Sequence, residues 1–128
     1  MVQACPMQRL GEREYSCPVE LAIQVIGGKW KPVILWHLGE ESVLRFNELR
    51  RIMPTVTQKM LTRQLRELEA DGLVHREVYA QVPPKVEYSL TPVGKSVMPI
   101  MRDLCQWGRD FESRLKAHLA QAADEAAA

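Results

Sequence analysis

Most of the chain repeats its apolar residues every three to four positions, and one stretch repeats them every second position. The clearest helical repeat is "TQKMLTRQLRELEADGLV", residues 57–74. There Leu61, Leu65 and Leu68 fall at i, i+4 and i+7 and make a single apolar stripe. Thr57 is placed to cap the helix, with Val56 and Leu61 as a hydrophobic staple across the cap. Gly72 is placed to end it, with Leu73 packing back. Upstream, "SCPVELAIQVIGG" predicts a short helix opened by Pro18 and closed by Gly27-Gly28. "KWKPVILWHLGE" predicts a second helix with Pro32 in its first turn and an end near Gly39. "RFNELRRIM" predicts a third, short and basic, stopped by Pro54.

The period then changes. Val78, Ala80 and Val82 alternate with polar residues, and so do Val86, Tyr88 and Leu90. Pro83-Pro84-Lys85 separates the two runs, which predicts a two-stranded hairpin with a stiff basic tip. Thr91-Pro92 is expected to cap a long final helix. Met98, Met101, Leu104, Cys105 and Trp107 give that helix more apolar surface than a small domain covers. Dimerisation through Val97, Met101, Leu104 and Trp107 is the expectation, with intramolecular packing as the ordinary alternative. Residues 1–16 carry no periodicity and read as a flexible arm, residues 17–115 as the domain, and residues 116–128 as an Ala-rich tail, frayed or disordered.

Charge changes this picture. The 128 residues carry a net charge of only +1, with 46% hydrophobic and 26% charged residues, an ordinary globular composition. From Arg45 to Arg66, however, Arg45, Arg50, Arg51, Lys59, Arg63 and Arg66 stand against Glu48 alone, a net +5, so the rest of the chain sums to −4. The leucine stripe turns Gln58, Lys59, Thr62, Arg63 and Arg66 outward. Arginine and lysine bond guanine edges, glutamine bonds adenine edges, and threonine offers a hydroxyl or a methyl. On a lone helix such a face is usually just solvated. Helix, tight turn, helix and hairpin in that order, with His75 and Arg76 at the hairpin base and Lys85 at its tip, is the winged helix-turn-helix order. The expected fold is therefore mainly α with a small β-hairpin wing, flanked by N- and C-terminal dimerisation helices. Arg45, Thr57, Gln58, Lys59, Thr62, Arg63, Arg66 and Lys85 are its candidate contacts to double-stranded DNA.

"CPVELAIQVIGGKWKPVILWHL", "RFNELRRIMPTVTQKMLTRQLRELEADGLV" and "PPKVEYSLTPVGKSV" together resemble the HxlR-type winged-helix regulators, near the MarR group, over residues 17–111. The resemblance implies a homodimeric transcriptional regulator on a palindromic operator, with the first and last helices forming the dimer. It also implies that Cys17 senses electrophiles or oxidants. Cys17 directly precedes Pro18, where a helix N-terminus favours a thiolate, and Lys29 and Lys31 add to this if the fold brings them near. Packing at the dimer seam is the alternative role. Cys5 is either a resolving partner for Cys17 or a bystander, and Cys105 falls on an apolar helix face.

Three widely spaced cysteines and three scattered histidines form neither a disulfide framework nor a metal set, and no cofactor is expected. Gly27-Gly28-Lys29 lacks the spacing of a phosphate loop, and Glu12, Glu14 and Glu20 are too scattered for an acid–base pair, so an enzyme is not expected. With no long apolar run and no leader pattern, the expected location is the cytoplasm and no membrane partner is expected. The rival reading is a repressor answering a phenol- or quinone-type ligand in a pocket lined by Trp30, Trp36, Met98 and Met101.

Overall fold

The structure is a computed structural model that describes residues 4–128. The chain divides into two units, one ending at Ser96 and the other spanning Val97–Ala128.

In the first unit, strands β1 (Gln8–Leu10) and β2 (Arg13–Tyr15) form an antiparallel hairpin, with Gln8 opposite Tyr15 and Leu10 opposite Arg13. Helices α1 (Pro18–Ile26) and α2 (Lys31–Glu41) follow, then strand β3 (Val43–Arg45) and helices α3 (Phe46–Ile52) and α4 (Gln58–Ala70). Strands β4 (Val74–Tyr79) and β5 (Lys85–Leu90) and the single turn of α5 (Pro92–Lys95) complete it. The three-stranded sheet has the order β3-β5-β4 and is antiparallel throughout.

The core collects one face from each helix. Ile34, Leu35 and Leu38 of α2, Leu49 of α3, and Leu61, Leu65 and Leu68 of α4 are fully or almost fully buried. Met53, Val56, Leu73, Val74 and Leu90 close its margins. The expected cap and stop of α4 both form. Thr57 Oγ1 accepts from the Met60 N–H at 3.1 Å. Gly72 has φ +81, its N–H donates to the Glu69 carbonyl at 3.0 Å, and Leu73 N–H donates to the Leu68 carbonyl at 2.9 Å. Those two bonds are the paired closure that lets a glycine end a helix while the next apolar residue returns to the core.

Several expectations are corrected. The arm predicted to be loose is a hairpin over residues 8–15. Arg13 clamps Asp71 at the end of α4 with bonds of 2.8 and 2.6 Å, and Tyr15 is buried. Its residues 1–3 lie outside the described residues. Short strands without apolar alternation leave no periodic signal, so this hairpin escapes pattern reading. For the same reason the wing gains an unexpected third strand, β3; separately, α2 runs past Gly39 to Glu41 before Ser42 turns the chain at φ +70.

Lys85 opens β5 opposite Tyr79, so the tip is residues 80–84 and Lys85 stands beside it. Thr91 caps the short α5, not the final helix, by accepting from the Gly94 N–H at 3.1 Å. A Cβ on Gly94 would stand 2.1 Å from the Leu73 carbonyl oxygen, so only glycine allows this turn to lie against the end of β4.

The second unit is one helix, α6 (Met98–Ala127). The Ala-rich tail is helical to Ala127, as the high helix propensity of alanine favours. Met98 and Met101 are buried, so neither belongs to exposed apolar surface as expected. The exposed stripe is Ile100, Leu104, Trp107, Phe111, Leu115 and Leu119, spaced three to four residues apart.

Candidate nucleic-acid interface

The interface is built outward from the leucine stripe of α4. Because Leu61, Leu65 and Leu68 point inward, Gln58, Lys59, Arg63 and Arg66 are exposed and Thr62 is half-buried. Gln58, Lys59, Thr62, Arg63, Arg66 and Glu67 line one open hollow along the helix. The structure thus gathers the whole expected helix face, and adds an acid the sequence reading left out. Thr62 Oγ1 donates to the Gln58 carbonyl at 2.9 Å, so its hydroxyl proton is turned back into the helix. Thr57 Oγ1 is an acceptor in the cap and keeps its own proton to donate.

The acid is Glu67. Its Oε2 lies 3.1 Å from Nζ of Lys31, and its Oε1 lies 3.7 Å from Nε of Arg63. Lys31 is the first residue of α2 and only 7% exposed, the one charged residue in the core among the described residues. Lysines 29 and 31 are therefore committed elsewhere than to Cys17. Lys31 supports α4 from beneath, and the Lys29 ammonium lies 4.7 Å from the Trp30 ring centre.

A second hollow lies between α4 and the wing, lined by Thr62, Leu65, Arg66, Glu69, Arg76 and Tyr88. Arg76 Nε donates to Glu69 Oε2 at 3.0 Å, tying β4 to α4. Burial raises the Tyr88 hydroxyl above its ordinary pKa, so it is a neutral donor there. A third hollow, lined by Asn47, Arg50, Arg51, Pro54 and Val56, adds two arginines at the turn between α3 and α4. Arg45 caps α3 through its backbone, whose N–H donates to Glu48 Oε1 at 2.8 Å, and its side chain is free to reach outward. That is half of a capping box, because a guanidinium accepts nothing.

Lys85 is less available than a tip residue would be. Its ammonium lies 4.6 Å from the Tyr79 ring centre and 3.4 Å from Glu87 Oε1. The Tyr79 hydroxyl is raised by its hydrogen bond to Glu87 and by that carboxylate's charge. Arg76 and Glu67 are the residues the pattern missed as site members. Arg76 was visible as a basic residue at the wing base, but the Lys31–Glu67 pair has no local signal, because Lys31 comes from another helix.

A helix–turn–helix with a basic outer face precedes a hairpin wing, and the profile of the HxlR-like helix-turn-helix family matches residues 25–116. The chain belongs to the HxlR-like family. It is 56% identical to the HTH-type transcriptional regulator YybR of Bacillus subtilis over 103 residues, 80% of this chain and 82% of that protein. It also resembles the structure of the redox regulator HypR in its reduced form, with a TM-score of 0.75 and 55% identity over 79% of this chain and 99% of that one. The reduced form of the transcriptional regulator YodB from B. subtilis gives 0.62 and 32% identity over 74% of this chain and 93% of that one. Like its HxlR-like relatives, the chain is a helix-turn-helix transcriptional regulator and not an enzyme. No helix among the described residues is long and apolar enough to cross a membrane.

Elsewhere in the first unit, two free cysteines flank the N-terminal hairpin. Cys17 is the N-cap of α1 and half-buried, while Cys5 is exposed. The hairpin register pairs residues whose numbers sum to a constant, Gln8 with Tyr15 and Leu10 with Arg13. The segment that leads into this hairpin holds Cys5 within hydrogen-bonding reach of Cys17. The Cys5 thiol is raised above its ordinary pKa, first by a hydrogen bond with Cys17 and then by the charge of the Cys17 sulfur. Glu20 in the first turn is lowered, because the Ser16 N–H donates to it at 3.0 Å and the Ser16 hydroxyl at 3.1 Å.

Proposed function

We propose that this HxlR-like regulator is a homodimeric repressor that acts in the cytoplasm on a palindromic operator and is released from it by thiol chemistry at Cys17. The carrying observation is the exposed face of α4. Gln58, Lys59, Thr62, Arg63 and Arg66 form one ridge over a fully buried leucine stripe. Such a helix fits the major groove, with Arg45, Arg50 and Arg51 on the flanking phosphates and Lys85 and Arg76 serving the wing.

A dimer is supported by what α6 and α1 leave uncovered. Trp107 is 64% and Phe111 45% exposed, and their rings stack at 5.1 Å with planes 5° apart. Val19 and Ile23 of α1 are exposed one turn apart. Ordered exposed aromatics of this kind mark interfaces. A two-fold dimer would set its reading helices about 34 Å apart, one turn of DNA.

Thiol control is supported by the neighbouring sulfurs and by the likeness to the redox regulator HypR. The Cys17 thiolate reduces a hydroperoxide to an alcohol and becomes a sulfenic acid. Cys5 then displaces water from it and forms a disulfide, so two thiols and one hydroperoxide give a disulfide, an alcohol and water. A change at the N-cap of α1 alters the dimer seam, and with it the spacing of the two reading helices.

Selection of bound sequences from random duplexes tests the reading. The expected result is a palindrome with half-sites one helical turn apart. An asymmetric site, or none, overturns it. For thiol control, wild-type protein loses operator binding on treatment with a hydroperoxide and Cys17→Ser protein keeps it. Equal loss by both removes Cys17 from the mechanism.

A further inference from the structure

We infer that Glu67, held by Lys31, is a positioning residue that aims Arg63 at guanine, an inference that rests on the DNA-reading role proposed for α4. Glu67 is an oddity of charge on this face. Glu67 lines the same open hollow as the cationic ridge, where a carboxylate opposes phosphate. A bare acid there would weaken binding to every duplex. Its charge is instead met from three sides. Lys31 approaches Oε2 at 3.1 Å from the core, and Arg63 approaches Oε1 at 3.7 Å from the same helix. Arg13, clamped on Asp71, is close enough for the Glu67 charge to favour its protonated form.

The two oxygens are divided between two partners, and that division fixes the carboxylate. Lys31 is buried, so its ammonium has little freedom and Oε2 must face inward. Oε1 is then left facing Arg63. The approach is through Nε at 3.7 Å, an ion pair longer than a hydrogen bond, so the terminal nitrogens of the guanidinium are not the atoms that meet the carboxylate. Those two nitrogens on a planar fork match N7 and O6 of guanine, the one base with two acceptors on its major-groove edge. An exposed arginine with no such guide loses rotamer freedom on binding, and a guided one loses less. Glu67 therefore exchanges some general affinity for a fixed direction of Arg63, while Lys31 keeps the remaining repulsion small.

The test uses the full-length protein and the duplex obtained by selection. The guanine read by Arg63 is the one whose replacement by adenine ceases to matter in Arg63→Ala protein. At that position Glu67→Gln is expected to lower the guanine-to-adenine affinity ratio about two- to threefold, the scale of an exposed i,i+4 ion pair. Affinity for random duplex is expected to rise, since a negative charge has gone. At positions that Arg63 does not read, the same change should leave base preference unaltered. An unchanged ratio at the position Arg63 reads, or an equal fall at positions it does not read, overturns the inference, and so does an Arg63→Ala protein that still discriminates every guanine. The paired Lys31→Met/Glu67→Met replacement leaves no unpartnered charge and is expected to fold and to give the same loss of ratio. If wild-type protein selects no sequence, the DNA-reading role itself fails. If it selects one and Glu67→Gln leaves the ratio intact, only the inference about Glu67 fails.

Discussion

Lys31 and Glu67 join the first turn of α2 to the last turns of α4 across 3.1 Å, with the lysine inside the core and the glutamate at its edge. Removing one partner of such a pair strands the other. Lys31→Met is expected to destabilise the protein by about 1–3 kcal/mol, below the range for a fully buried pair because Glu67 keeps access to water. Urea unfolding of the two proteins checks this, and an unchanged midpoint would show that the pair contributes no net stability.

The clamp of Arg13 on Asp71 makes the N-terminal hairpin part of the fold. Arg13→Ala should cost about 1–2 kcal/mol, the scale of charge-assisted bonds at a partly exposed site. Amide exchange over residues 8–15 should quicken at the same time, and protection that persists there would assign the hairpin's order to other contacts, such as Tyr15.

Thr57→Ala removes the acceptor for the Met60 N–H. About 1 kcal/mol of stability should be lost, with fraying confined to the first turn of α4. Because that turn carries Gln58 and Lys59, operator affinity should fall more than the stability loss alone explains. Gel shifts at a temperature where both proteins are fully folded separate the two effects.

Cys5 offers a prediction with a sign set by its neighbour. Hydrogen bonding and charge at Cys17 raise the Cys5 thiol, so at a given alkaline pH less of it is thiolate than in a free cysteine. Cys17→Ala removes both causes, the pKa falls toward its ordinary value, and alkylation of Cys5 by iodoacetamide at pH 8 to 9 should speed up. Labelling rates that do not change on this substitution would mean that the two sulfurs are apart in solution.

Lys85 should matter less to DNA affinity than a tip lysine would, because Tyr79 and Glu87 already hold it. Lys85→Ala is expected to reduce the dependence of log affinity on log salt by clearly less than the roughly 0.9 of a full phosphate contact. Arg63→Ala and Lys59→Ala should each reduce it more. A full-sized change for Lys85 would show that the wing releases it on contact with DNA.

What the sequence determined by itself is everything carried by local repetition. The leucine spacing in α4 sets which face is buried, and by exclusion which residues form the cationic ridge. Thr57 and Gly72 set where that helix starts and stops. These signals are legible because a helix face, a cap and a glycine stop depend on residues a few positions apart.

Only the tertiary structure decided the contacts that join distant segments. Lys31 under Glu67, Arg13 on Asp71, Arg76 on Glu69 and β3 at the sheet edge each pair residues from different elements, and no periodicity records them. The fold also showed that Met98 and Met101 are buried while Ile100 and Phe111 are exposed, and that Lys85 stands beside the wing tip. Charged side chains sit in a sequence identically whether they end in water or against a partner, so desolvation and ion pairing are settled only when the chain has packed.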